Sequence, residues 1–204
     1  MDTKWDKVCI ENDSSYFGVY FRYRGIHADK LSKYKFMKNV INQLNVAEII
    51  HDEQIERQKK SMILINDLWN REELLIKNGF HFSDGSGVEV EISYYPIPDI
   101  KKGHYFSFLD VYKADQENIT KIDVFKEIKL SNGFYCCVGE GSYGSEGFVA
   151  YLDESKNLFW VLYSETSNPF VNIMEECEGI VIAESSANFT IRLDVNKPTS
   201  LSLK

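Results

Sequence analysis

The sequence is poor in the residues that mark unusual chain classes: it has 4 prolines, 12 glycines and 4 cysteines among 204 residues. So little proline and glycine excludes collagen-like repeats, long disordered tails and low-complexity linkers. No run reaches the roughly 18 apolar residues of a membrane span, and the segment MDTKWDKVCIEND lacks the basic start and the apolar run of a signal peptide. We therefore expect a cytoplasmic protein that does not bind membranes.

The four cysteines have no CxxC spacing, which weakens the case for a metal or redox site. Cys136 and Cys137 are adjacent in the strand-like segment FYCCV. Because neighbouring residues of a strand point to opposite faces of its sheet, we expect them to pack as small hydrophobes on either side. The sequence predicts no metal and no cofactor.

Basic residues are also scarce. The sequence has 23 Lys and Arg residues compared with 31 Asp and Glu residues, which gives a net charge of −8. This balance argues against nucleic acid as a partner. Residues 131–196 hold ten acidic and two basic side chains, so the whole net charge lies in the C-terminal third. The acidic residues there are interleaved with aromatic ones, a pattern suited to a basic protein partner, although a solvated face that only aids solubility is the alternative.

We predict that this partner is bound by an acidic, aromatic-rich surface. Trp160, in the apolar run LFWVLY, could equally belong to the core. The predicted contact residues are Glu140, Tyr143, Glu146, Asp153, Glu154, Trp160, Tyr163 and Glu165.

Hydrophobic periodicity predicts an α+β fold, with a predominantly antiparallel sheet and two or more helices in the middle third. The predicted elements are a hairpin over 4–25, helices over 30–44 and 53–77, and strands at 88–95, 104–113, 119–128, 133–138, 147–153, 158–164, 170–174, 179–185 and 188–194.

Domain organisation is predicted as one α+β domain over residues 1–204. The alternative is a division into 1–130 and 131–204, since the turn at 129–133 coincides with the change in charge. A weak repeat relates the segments that start at Gly147 and Gly179, each an expected hairpin, and we expect these hairpins to form one compact antiparallel sheet.

Catalytic motifs are largely absent, so the sequence favours a protein that is not an enzyme. GxSxG does not occur, and the four histidines are isolated, although His81 and His104 could meet Asp84 or Asp110 across strands. Residues 139–144, GEGSYG, match GxGxxG, but a strand-like segment follows where a dinucleotide fold needs a helix. We interpret this match as a flexible hairpin loop with an exposed Tyr143.

Residues 140–200 carry GFVAYLD, a polar turn, LFWVLY and then SNPF before another hairpin. This stretch resembles bacterial immunity proteins, which are encoded beside polymorphic toxins. The resemblance implies a cytosolic inhibitor that binds a cognate toxin domain, often a basic nuclease.

Two other classes of function stay open. One is an adaptor whose partner is not a toxin. The other is an enzyme or a small-molecule or carbohydrate binder with a cleft between helices and sheet, in which His81, His104 and Glu140 could take part. The sequence leaves the oligomeric state open.

Overall fold

The computed structural model of the chain describes residues 52–204 together with position 39. The chain divides into two units, residues 1–51 and 52–204, and the second unit holds all of the described strands. The predicted hairpin over 4–25 lies outside the described residues. So does the predicted helix over 30–44, except for Asn39, which is helical and exposed.

The described part of the chain contains twelve strands, two α-helices and one short 3-10 helix. The helices are α1 over residues 52–70, α2 at Phe108–Ala114 and the 3-10 helix at Pro198–Ser200. The strands are Glu73–Leu75 (β1), Gly79–Phe82 (β2), Ser86–Ser93 (β3), Asp99–Ser107 (β4), Ile119–Lys129 (β5), Tyr135–Gly141 (β6), Gly147–Leu152 (β7), Leu158–Ser164 (β8), Phe170–Cys177 (β9), Ile180–Ser185 (β10), Thr190–Asp194 (β11) and Ser202–Leu203 (β12).

The strands form two antiparallel sheets. The large sheet has eight strands in the order β1-β5-β6-β7-β8-β2-β3-β4, and the small sheet has four in the order β12-β11-β10-β9. Consecutive hairpins build β5–β8 and β2–β4, and β2 joins them by pairing with β8 over Gly79–Phe82. The small sheet is built entirely from residues that follow β8.

Two hydrophobic clusters place the large sheet in the middle of three layers. One cluster packs the large sheet on the small sheet, with Trp160 and Leu162 of β8 among residues of β9, β10 and β11. The other packs the opposite face of the large sheet on the helices, with Leu68 of α1 and Phe108 of α2 against Val161 of β8. The central strands are therefore buried on both faces, which explains their nearly continuous apolar runs.

The predicted α+β class is wrong, because the described residues form mostly antiparallel β-sheet, with 49% of them in strands and 19% in helices. The helix expected over 53–77 ends at residue 70. A turn follows in which Arg71 N–H donates to Leu68 O and Glu72 takes a φ of 58°. The next residues, β1, pair with β5 instead of continuing the helix.

A second correction concerns residues 104–113, for which the sequence predicts a single strand. The strand β4 ends at Ser107, and α2 starts at Phe108. Ser107 caps this helix, because its hydroxyl accepts a hydrogen bond from Asp110 N–H. Apolar residues at short spacing fit either element, so periodicity alone does not separate them.

The other strands predicted from residue 88 onward are confirmed to within a few residues. The two related hairpins also form, but β7–β8 belongs to the large sheet and β10–β11 to the small one. The expectation that they build one sheet is therefore wrong.

The two adjacent cysteines pack as predicted. Cys136 belongs to the cluster between the sheets and Cys137 to the cluster under the helices. Burial raises the pKa of the Cys137 thiol to about 12 and raises the pKa of Cys136 as well, so both thiols are protonated at neutral pH.

The turn at 129–133 connects β5 to β6, which pair with each other. Leu130 N–H donates to Phe134 O, and Gly133 N–H donates to Leu130 O. Residues on both sides of the turn therefore belong to one sheet. The single-domain prediction for residues 1–204 stays a prediction.

Candidate functional site

Five of the eight predicted contact residues lie at one end of the large sheet. The loop of residues 142–146, here called the Tyr143 loop, joins β6 to β7 at this end. The strand β8 ends beside it, because Ser164 pairs with Gly147. The residues brought to this end are Glu140, Tyr143, Glu146, Tyr163 and Glu165.

Glu146 holds the loop from inside, because only 2% of its surface is exposed. Its carboxylate accepts hydrogen bonds from the hydroxyl of Thr120, at 2.8 Å, and from the hydroxyl of Tyr163. It also accepts from Tyr143 N–H, at 3.3 Å. Three donors from three segments therefore meet on one side chain, as a buried carboxylate requires.

Further hydrogen bonds fix the rest of the loop. Ser142 N–H donates to the Thr120 hydroxyl at 3.0 Å, and the Ser142 hydroxyl donates to Lys121 O at 3.2 Å. On the other side, Asn168 N–H donates to Ser145 O at 2.9 Å. The loop is thus tied both to β5 and to the connection after β8, so the expectation of a flexible loop is not met.

Tyr143 is the exposed tip of this fixed loop, with 73% of its surface accessible. The next residue, Gly144, has a φ of 72°, and a methyl group added to it would meet no atom, which fits an exposed tight turn that glycine tolerates. The loop runs from strand to strand, as its sequence indicated. An aromatic side chain is therefore presented outward from a constrained backbone.

Tyr163 supports the loop as a neutral phenol. Burial raises its pKa, and the hydrogen bond to Glu146 raises it further, because the ionised phenol would lose that bond and face a carboxylate. The hydroxyl consequently stays a donor to Glu146 across the neutral pH range.

Three carboxylates lie at the same end of the sheet as the loop, those of Asp123, Glu140 and Glu165. Asp123 of β5 is exposed and stands directly opposite Glu140 of β6 in the sheet register. Like charges in this position destabilise a sheet, so the pair has a cost in stability. Glu165 is exposed at the same end, where its N–H donates to the Asn78 side chain.

Three of the predicted contact residues are interior. Glu146 and Tyr163 are buried beneath the loop, and Trp160 is buried between the sheets, where its Nε1–H donates to Val195 O at 3.0 Å. Their side chains cannot contact a partner at these positions, so these three residues are not part of a contact surface. Glu146 and Tyr163 keep a positioning role.

Asp153 and Glu154 lie at the opposite end of β7, in the turn to β8. The Asp153 carboxylate accepts from Ser155 N–H and from the backbone and side chain of Asn157. The side-chain bond to Asn157 is the leading cause that lowers its pKa. The sheet therefore separates these two residues from the Tyr143 loop.

Sequence reasoning missed Thr120, Met62, Ile63 and Phe159. Thr120 gave no signal, because its contact with Glu146 depends on the pairing of distant strands. Met62, Ile63 and Phe159 are exposed apolar residues around a surface groove between α1 and β8. The adjacent residues Met62 and Ile63 could have indicated an exposed apolar side chain, since two neighbours on a helix cannot both lie at the centre of one buried stripe.

His81, a candidate metal ligand by sequence, is a core residue. Its ring is buried against Phe106 and Phe108, and its Nε2–H donates to Lys77 O at 2.7 Å. Burial lowers its pKa to about 4. Among residues 52–204, no group of three or more His, Cys, Asp or Glu side chains is arranged to hold a metal ion.

No helix in the described part of the chain has both the length and the apolar character needed to cross a membrane. Comparison of the chain with protein-family models, with curated proteins and with solved structures gives no match.

Proposed function

We propose that the protein is a non-enzymatic inhibitor of the immunity-protein type, which docks a basic toxin domain through the Tyr143 loop. The observation that carries this proposal is an exposed aromatic side chain on a loop that a buried carboxylate holds in place. Tyrosine is common among the residues that dominate binding energy. A loop that is already ordered loses little conformational entropy on binding, which favours affinity.

The charge around the loop supports a basic partner. Asp123, Glu140 and Glu165 lie at the same end of the sheet as Tyr143, and the opposed pair of Asp123 and Glu140 is kept despite its cost. Complementary charge speeds the encounter of two proteins and rejects partners of the same sign. The net charge of −8 acts in the same direction.

The test uses the product of a toxin-like reading frame that neighbours the gene. We expect a one-to-one complex, inhibition of the toxin and no turnover by this protein. Tyr143→Ala should raise the Kd at least about tenfold, mainly through faster dissociation, because a central aromatic anchor is lost. Isothermal titration calorimetry and stopped-flow kinetics measure these quantities.

The matched control is Tyr95→Ala, since Tyr95 is 81% exposed but lies between β3 and β4, outside the Tyr143 loop. This variant should bind like the wild type. A Tyr143→Ala variant that folds normally and binds with unchanged affinity would reject the loop as the docking site. Binding to an unrelated protein, with no effect on the toxin, would favour the adaptor function instead.

A further inference from the structure

A second surface of the molecule is a groove of about 520 Å³ between α1 and the start of β8, here called the Phe159 groove. The helix contributes Met62, Ile63, Asn66 and Asp67, and the strand contributes Phe159. The remaining lining residues are Ser83, Asp153, Asn157 and Leu158. Exposed apolar side chains gathered in this way mark interaction sites more often than isolated ones do.

At the edge of the groove, an irregularity in β8 turns the side chain of Phe159 toward the small-sheet face of the large sheet. Tyr151 pairs with Trp160 and Leu152 pairs with Leu158, so Phe159 is an extra residue, a β-bulge in β8. Bulges redirect side chains, and here the ring of Phe159 stacks on Tyr151 at 5.3 Å and stays partly exposed.

The walls of the groove are fixed to each other by Asn66 of α1. Its side-chain oxygen accepts from Leu158 N–H at 3.0 Å, and its amide donates to Met62 O at 3.0 Å. The groove therefore exists before any partner binds, which lowers the entropic cost of binding.

The nearby backbone excludes an extended strand as the occupant. Leu158 N–H is bonded to Asn66, Asn157 N–H to Asp153, and Phe159 O to Ser83 N–H. A strand added here would find no free partners for its own backbone groups. An α-helix satisfies its backbone internally and needs only an apolar groove.

The charge of the groove fixes the chemistry of that helix. Its lining contains the carboxylates of Asp67 and Asp153 and no Lys or Arg. The hydrogen bonds to Asp153 lower its pKa, so it is ionised at neutral pH. The same turn carries two further charges outside the lining, the exposed carboxylate of Glu154 and the ammonium of Lys156, which pairs with Glu127.

We propose that the Phe159 groove binds an amphipathic α-helix of a partner protein, with lysine or arginine beside the apolar stripe of that helix. This proposal goes beyond the function proposed above, because the groove and the Tyr143 loop lie at opposite ends of β7. The two surfaces share no residue, so each can fail without the other.

The test titrates the full chain with a labelled 18-residue peptide that has leucine at positions 1, 4, 5, 8, 11, 12 and 15 and lysine at the others, except for a glutamate at position 10 that forms a helix-stabilising lactam bridge with the lysine at position 6. Fluorescence anisotropy should show saturable binding that weakens as salt rises. Amide NMR shifts should map it to residues 62–67 and 153–159. The same peptide with glutamate in place of every lysine outside the bridge should bind at least about tenfold more weakly.

Variants separate the groove from general stickiness. Met62→Ser should weaken binding of the lysine peptide about tenfold, whereas Met174→Ser should not, because Met174 is equally exposed, 46% against 48%, but lies on β9. If Met62→Ser unfolds, as judged by circular dichroism, Ile63→Ser replaces it. Equal binding of the two peptides, equal effects of the two methionine variants, or shifts that map elsewhere would overturn the proposal.

Discussion

Glu146 is the residue on which the Tyr143 loop depends. In Glu146→Ala, the hydroxyls of Thr120 and Tyr163 and the N–H of Tyr143 lose their shared acceptor. Each donor that stays buried and unpaired costs about 1–3 kcal/mol. We expect the free energy of unfolding in urea to fall by at least that much.

The control for this variant is Glu154→Ala, at an exposed position, which should change the free energy of unfolding by less than about 0.5 kcal/mol. Equal effects of the two substitutions would mean that the buried network does not hold the loop.

His81 gives the protein a defined sensitivity to acid. Its folded pKa of about 4 lies below the usual value of 6.5, because burial disfavours the charged ring. Between pH 6.5 and 4 the unfolded chain therefore binds a proton that the folded protein does not, and stability falls as the pH falls through this window. The shift corresponds to about 3 kcal/mol by pH 4, with no contribution above pH 7.

Urea unfolding of the wild type and of His81→Gln at pH 7.0, 5.5 and 4.5 measures this effect. The carboxylates titrate in both proteins, so their contribution cancels in the difference between the two stability curves. His81→Gln should lower stability at pH 7 and also flatten its decline with acid. His104→Gln, at an exposed position on β4, should keep the wild-type slope. Parallel curves for wild type and His81→Gln would contradict the assignment.

At the scale of single residues, the sequence correctly predicted the exposure of Tyr143 but not the burial of Glu146. An exposed tip between glycines can be read from the local pattern at residues 139–144. The burial of Glu146 cannot be read from the local pattern, because two of its hydrogen-bond donors are distant in sequence. Thr120 on β5 is 26 residues away and Tyr163 on β8 is 17 residues away. A carboxylate in a loop is normally solvated, so the sequence favoured the surface for it.

At the scale of secondary-structure elements, the pairing of β5 with β6 depends on the absence of a side chain at Gly139 of β6. A methyl group on Gly139 would overlap the backbone oxygen of Asp123 and crowd the ring of Phe148. Because backbone cannot yield as a flexible side chain does, Gly139→Ala should lower the free energy of unfolding by about 3 kcal/mol, at the upper end for overpacking.

The matched variant is Gly144→Ala in the Tyr143 loop, where a methyl group meets no atom. Its only cost is the positive φ, on the order of 1 kcal/mol. Thermal unfolding followed by circular dichroism ranks the two variants, and a larger loss for Gly144→Ala would contradict the described register of β5 and β6.

Elements were predictable where their hydrophobic pattern was long. The strands β5 and β7–β11 follow from apolar runs bounded by turn residues. The short strand β1 was hidden inside the apolar pattern of the helix predicted over 53–77, and the short strand β2 was not predicted as any element. These residues form strands because β1 pairs with β5 and β2 pairs with β8, and both partner strands are distant in sequence.

For the whole unit of residues 52–204, the three layers share one central sheet. A fragment that starts near residue 130 would keep β6–β12 but lose β5, β2 and both helices, and with them partners on both faces of the core. Limited proteolysis should therefore release no stable fragment with this start. A protease-resistant fragment of residues 131–204, identified by mass spectrometry, would contradict the described packing.

The division into two sheets was beyond the reach of the sequence. The hairpins β7–β8 and β10–β11 have nearly the same pattern of apolar residues and turns. What separates them is a change of direction between Ser164 and Phe170, which sends β9 to the second layer. Local periodicity carries no information on such a change, because both layers need the same alternation.

The pairing of β2 with β8 also sets an order of events during synthesis. Roughly 80 residues separate these partners, and a ribosome that adds about 5–20 residues per second needs roughly 4–16 s to make them. In that interval the nascent β2–β4 meander has an apolar edge that includes Phe80 with nothing to pair against. Such an edge is a template for another nascent chain, so the yield of native protein depends on how briefly it stays open.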